Sequence, residues 1–187
     1  LGGKMPTTTP KMSMRSFYVG QHVFMTGVSG FVGKVVLQKV LKDLPDVECV
    51  YLLIRPKRGV NPRQRVQEEI LSSPCFDPLR EKLGHSQFEA MCNTKVVPIA
   101  GDMMEDRFGL SNDEYSALTK KVTVVLHMAA TIDFTERLDI AVKMNILGAL
   151  RVMTLARHCL INGQLFSACH VSTCYVNSNL RSGTRVR

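Results

Sequence analysis

The chain has 187 residues, 45% of them hydrophobic and 21% charged, with a formal net charge of +8. That is the composition of a folded globular domain with a sizeable core, and it excludes a disordered polypeptide. No apolar run approaches the ~18 residues of a membrane-spanning helix, the start of the chain lacks the apolar stretch of a secretory signal, and the basic residues lack the interleaved aromatics of a nucleic-acid groove.

Residues 1–16 read as a loose tail and residues 17–187 as one domain. A short strand, His22–Met25, runs into Thr26-Gly27, and a helix follows at once over Gly30–Lys42, stopped near Leu44-Pro45. Strand two, Cys49–Ile54, is a continuous apolar run, the pattern of a strand covered on both faces. A polar loop with Pro56, Gly59 and Pro62 leads to a charged helix over Arg63–Leu71 and further helix over Pro78–Met91. Strand three is Lys95–Ala100, although Pro98 within it cannot donate to a ladder. Ser111 and Glu114 form a capping box before a short helix ending near Lys120. Strand four is Val122–His127. A long helix spans Leu138–Leu160, with Leu138, Ala141, Val142, Asn145, Gly148, Ala149, Val152 and Leu155 on one side. Strand five is Leu165–Ser172. Strand and helix alternate, which predicts parallel strands joined by right-handed crossovers. The fold class is α/β: a Rossmann-type doubly wound sheet, three layers α/β/α, in the order 3-2-1-4-5. Ligands of such sheets bind beyond the carboxyl ends of the strands, near the switch between strands one and four.

The strand ends carry the chemistry. After strand one, Gly27, Gly30 and Gly33 follow a G-x-x-G-x-x-G spacing into a helix N-terminus. Free N–H groups and the positive end of the helix dipole suit a pyrophosphate there, and glycine lets the backbone approach it. Strand two ends on Arg55 where an NAD-specific site places Asp or Glu. A guanidinium grips a 2′-phosphate bidentately, which favours NADP(H), while Lys57 and Arg58 also fit a solvated basic loop. After strand three, Asp102 suits the exocyclic amine of adenine, with the Met103 backbone beside it. After strand four, Ala129 and Ala130 leave room for a dinucleotide to lie flat, and His127 reads as a core histidine. Asn145, as a buried amide, braces the backbone near strand four. After strand five, the Ser172 and Thr173 hydroxyls suit polarisation of a carbonyl at the nicotinamide position. The six cysteines, Cys49, Cys75, Cys92, Cys159, Cys169 and Cys174, form no CxxC pair and read as reduced, mostly buried thiols, with no metal site.

The segments FYVGQHVFMTGVSGFVGKVVLQKVL, YLLIRPKRG, VVPIAGDMMEDRFGLS, VVLHMAATIDF, MNILGALRVMTLA and HVSTCYVNSN resemble the extended short-chain dehydrogenase/reductases. Within them they resemble the fatty acyl-CoA reductases, with a male-sterility-type NAD-binding domain. The resemblance implies NADPH-dependent reduction of a long-chain fatty acyl-CoA to a fatty alcohol in two hydride steps, the first releasing CoA and the second reducing the aldehyde. It implies that Thr26, Gly27, Ser29, Gly30, Phe31, Val32 and Gly33 form the phosphate turn and that Arg55 takes the 2′-phosphate with Lys57 as helper. Asp102 and Met103 would flank adenine, Ala129, Ala130 and Thr131 would line the dinucleotide, and Thr173, with Ser172 beside it, would be the catalytic hydroxyl.

The same superfamily uses an acid Tyr four residues before a Lys. None of Tyr18, Tyr51, Tyr115 and Tyr175 has that partner. The chain therefore reads as the cofactor half of a longer enzyme, inactive alone, with any membrane association and an endoplasmic reticulum or peroxisome address residing elsewhere. A non-catalytic NADP-binding sensor and a nucleotide-sugar epimerase are the alternatives, and Arg55-Pro56-Lys57 argues against the second.

Overall fold

A computed structural model describes residues 13–163 and 165–185. The expected tail over residues 1–16 therefore lies outside the described residues except at its end, where Ser13 caps a short helix, α1 (Met14–Tyr18), in a capping box with Ser16. Arg187 also lies outside them.

Five parallel strands form one sheet: β1 (His22–Thr26), β2 (Cys49–Ile54), β3 (Val96–Ala100), β4 (Val124–His127) and β5 (Ser167–His170), in the order β3-β2-β1-β4-β5. The order matches the alternation in the sequence. β3 is an edge strand, which is where a ladder tolerates Pro98, paired with Leu52 on its one partnered side. β4 is two residues shorter at its start than the apolar run suggested, and β5 stops at His170, so Ser172 lies beyond it.

The continuous apolar run of β2 is buried at every residue, and the two-residue period explains why. Val50, Leu52 and Ile54 face one core with Val23 and Met25 of β1, while Cys49, Tyr51 and Leu53 face the other with Phe24. The first core is closed by α2 (Phe31–Asp43), through Leu37, Val40 and Leu41, and by α4 (Asp77–Leu83) and α5 (His85–Lys95), through Leu79, Phe88 and Cys92. Gly84, at φ +76°, breaks the single helix expected over Pro78–Met91 into these two. The second core is closed by α6 (Asn112–Thr119), with its Ser111/Glu114 capping box, and by α8 (Gly148–Asn162), through Val152, Leu155, Ala156 and Cys159.

Two helices contain π-helical turns. α3 (Pro62–Arg65) runs into one over Val66–Leu71, and α7 (Leu138–Ala141) joins α8 through another over Val142–Leu147. The second corrects the expected apolar stripe of the long helix. Leu138 and Asn145 are exposed, and continuous burial begins only near Gly148. In a π turn each bond closes a larger ring, so positions chosen at 3.6-residue spacing lose phase.

Of the cysteines, Cys49, Cys92 and Cys159 are buried, Cys75 is half-buried and Cys169 is exposed, all as free thiols. Burial pushes the Cys92 and Cys159 thiols up to about 11.

Candidate dinucleotide-binding site

The loops at the carboxyl ends of β1 to β4 enclose a cleft of about 510 Å³. Its floor is the glycine turn. Gly27 has φ +76°, and a Cβ there would stand 2.6 Å from the backbone of Met128 and Ala129, so the loop after β4 lies directly on the turn. A Cβ at Gly33 would stand 2.2 Å from the Gly27 carbonyl oxygen, so α2 packs against the turn more closely than any side chain allows. Gly30 is the N-cap of α2 and offers no side chain to its first-turn amides. Phe31, Val32 and Gly33 all line the cleft, and their amides carry the positive end of the helix dipole. The cradle is one that a Cβ would fill, and it fits a pyrophosphate.

Thr26 lines the cleft but is 1% exposed. Its hydroxyl accepts from the Met128 and Ala129 amides, both at 3.3 Å, which leaves its proton for His127 Nδ1 at 2.7 Å. Thr26 therefore ties β1 to the loop after β4. His127 is buried and stacked on His170 with ring centroids 4.7 Å apart. Burial, with the His170 charge adding, lowers its pKa from 6.5 to about 4. It is a neutral core histidine, as its place at the strand end suggested.

At the ends of β2 and β3, Arg55 leaves β2 into the cleft and its Nε stands 3.0 Å from Asp102 Oδ2. The two residues assigned to the 2′-phosphate and to adenine are thus partners of each other. Asp102 Oδ1 accepts from the Met104 amide at 2.9 Å, which fixes the carboxylate plane. Met103 is buried. Lys57 does not line the cleft, and its ammonium is 3.3 Å from Glu69. The second cation at the cleft is instead Arg65, whose Nε donates to Glu69 at 2.8 Å and whose Nη1 donates to the Arg55 carbonyl. Its hydrogen bonds, first to Arg65 and then to Lys57, hold the Glu69 carboxyl below its usual range. Arg65 was missed because helical periodicity says nothing about which strand end a charged helix faces. The only signal was its place in the basic run from Arg55.

Ala129 and Ala130 line the cleft, and Ile132 and Met144 add apolar wall. Thr131 does not line it. Its amide and carbonyl are gripped by the side chain of Asn145, at 2.8 and 3.0 Å. The expected brace is present, made by an exposed amide rather than a buried one. Ser172 and Thr173 follow β5, exposed and outside the cleft wall. Thr173 Oγ1 accepts from the Tyr175 amide at 3.3 Å, capping a short turn over Cys174–Asn177. Among the described residues, no group of His, Cys, Asp and Glu is arranged to hold a metal ion.

A parallel sheet in this order, with a glycine turn aimed at a cleft beyond its carboxyl edge, is the architecture of a dinucleotide-binding domain of the Rossmann type. Residues 25–186 match the family described as male sterility protein, an NAD-binding domain, and the chain belongs to that family. It is 36% identical over 168 residues to fatty acyl-CoA reductase 1 of Gallus gallus, covering 90% of this chain and 31% of that protein. It is 35% identical over 162 residues to fatty acyl-CoA reductase 1 of Arabidopsis thaliana, covering 86% of this chain and 32% of that protein. The chain thus spans about a third of these curated relatives. Among solved structures, the terminal R domain from the myxalamid PKS-NRPS biosynthetic pathway shares the fold, with a TM-score of 0.65 at 22% identity over 84% of this chain and 36% of that one. The reductase domain of a non-ribosomal peptide synthetase from Mycobacterium tuberculosis also has a TM-score of 0.65 at 22% identity, over 86% of this chain and 35% of that one.

Proposed function

We propose that this chain binds NADPH and forms the cofactor half of an enzyme that reduces a long-chain fatty acyl-CoA to a fatty alcohol. The observation that carries the cofactor choice is Arg55 leaving β2 into the cleft, with Arg65 beside it, where a 2′-hydroxyl site calls for a carboxylate. Arg55 is engaged with Asp102 through Nε, and Arg65 with Glu69 through Nε and with the Arg55 carbonyl through Nη1. Their remaining N–H groups suit a phosphate dianion. Lys57 is a more distant helper, held by Glu69.

NADPH, when bound, supplies the hydride. The first-turn amides of α2, with Gly27, Ser29 and Gly30, would hold its pyrophosphate. Asp102 and the Met103 backbone would meet adenine, and Ala129 and Ala130 would leave room for the dinucleotide beyond β4, with Thr131 fixed behind them by Asn145. Thr173, or Ser172 beside it, would donate a hydrogen bond from its hydroxyl to the substrate carbonyl oxygen, where negative charge develops on reduction. The fatty acyl-CoA assignment rests on family membership and on the names of the relatives. The same reading puts the enzyme at the cytosolic face of the endoplasmic reticulum or peroxisome membrane. No helix among the described residues is long and apolar enough to cross a membrane.

Equilibrium titration with NADPH and NADH tests the cofactor assignment. NADPH binds about tenfold tighter or more, as one charge-assisted hydrogen-bonded pair supplies. Equal affinities remove the 2′-phosphate site. This polypeptide contains no Tyr with a Lys four residues on, so no such pair is present to protonate the alkoxide. It shows little or no NADPH oxidation with an acyl-CoA, and clear turnover contradicts that.

A further inference from the structure

The loop after β3 is held in an unusual shape. Arg107 (φ 50°, ψ 26°) and Phe108 (φ 62°, ψ 20°) are both left-handed without being glycine, and Gly109 follows at φ 73°. Such residues persist only where their surroundings over-determine them. One anchor is the buried Phe108 ring, stacked on Phe24 with centroids 5.9 Å apart. The other comes from α8. Arg151 donates from Nε and Nη2 to Asp106 Oδ1 at 3.0 and 2.9 Å, and from Nη1 to the Met103 carbonyl at 3.3 Å. The strained turn in turn holds Asp102, because the Phe108 carbonyl accepts from the Asp102 amide at 3.0 Å. The fit is close on both sides. A Cβ at Gly101 would stand 2.7 Å from the Phe108 carbonyl oxygen, and one at Gly148 would stand 2.8 Å from Met103 Cε.

We propose that Arg151 is a positioning residue for the adenosine half of the cofactor: by clamping Asp106 and the Met103 carbonyl it holds the 101–109 loop in its left-handed form and so sets Asp102 and Met103 in the cleft wall. Arg151 itself does not line the cleft. It lies on the helix that continues from the π turn carrying Asn145, so one helical element secures the loops after both β3 and β4. The proposal rests on the reading of the cleft as a dinucleotide site.

The test is a calorimetric cycle with 2′,5′-ADP, which fills the adenosine half alone, and with NADPH, using wild type, Arg151→Met, Asp106→Asn and the double variant. Asp106 is almost fully exposed, so Asp106→Asn leaves packing intact and keeps the test open if Arg151→Met folds poorly. Within each variant 2′,5′-ADP and NADPH weaken by the same factor, about threefold to fivefold in Arg151→Met and less in Asp106→Asn, which keeps the tie to the Met103 carbonyl. The double variant is no worse than Arg151→Met. A role confined to stability lowers the melting temperature of the variants without this coupling in ligand affinity. Unchanged 2′,5′-ADP affinity in Arg151→Met, or losses that simply add in the double variant, overturn the proposal. Failure of the wild type to bind 2′,5′-ADP at all overturns the cleft reading itself, a separate result.

Discussion

Replacement of Gly33 by alanine strikes the closest approach in the site. The new Cβ would stand 2.2 Å from the Gly27 carbonyl oxygen and 2.7 Å from Gly27 C and Val28 Cα, all backbone atoms of the turn itself. No rotamer relieves such a contact, so α2 must withdraw by about 1 Å, and overpacking of that kind costs ~1–3 kcal/mol. Alanine recovers up to ~1 kcal/mol through its better helix propensity, which leaves a net loss of up to about 2 kcal/mol when that gain is realised in full. The first-turn amides withdraw with the helix, and each charge-assisted hydrogen bond to phosphate is worth ~1.5–3 kcal/mol, so NADPH affinity falls by about tenfold or more. Urea denaturation and NADPH fluorescence titration read the two effects. Gly30→Ala is the control, since its Cβ would meet the Gly27 oxygen at 3.3 Å, a contact relieved by a few tenths of an ångström, and its stability stays within ~1 kcal/mol of wild type. Wild-type stability and affinity in Gly33→Ala refute the packing argument.

Two further outcomes follow from the same geometry. Arg55→Ala lowers the preference for NADPH over NADH by about tenfold and leaves NADH affinity little changed. If the preference survives in full, measured by competition titration, Arg65 and Lys57 suffice and Arg55 is not the anchor. His127 has a folded-state pKa of about 4, below the 6.5 of an unperturbed histidine, so as pH falls the unfolded chain takes up its proton first. The stability this group contributes is fully present above about pH 6.5 and is lost between there and about pH 4. His127→Gln flattens the stability profile across that window, and an unchanged slope contradicts the assignment.

The sheet order was legible because each strand announces itself by apolar content and each crossover by helical spacing, and a right-handed alternation leaves little freedom. The glycine turn was legible for the same reason that it works: only glycine tolerates the backbone contacts at Gly27 and Gly33. Arg55 and Asp102 could be placed because each is the first polar group beyond a strand. Their ion pair could not, because it depends on the register that sets Ile54 opposite Ala100 and on the side-chain directions beyond it. The π turns leave no trace in the sequence because their residues obey ordinary helical composition while their hydrogen bonding does not, so the brace expected of a buried Asn145 on the backbone near β4 is made, to Thr131, by an exposed one. The left-handed Arg107 and Phe108 carry no local signature, since neither residue type favours that conformation and only the surrounding ties impose it.

In a dinucleotide site of this form, the amides at the start of α2 converge on the pyrophosphate. Backbone amide NMR during titration with NADPH tests it directly. The largest shifts fall on Gly27 and on Gly30 to Lys34, with a second group at Asp102 and Met103. Saturating shifts that spare the α2 amides and gather elsewhere would contradict it.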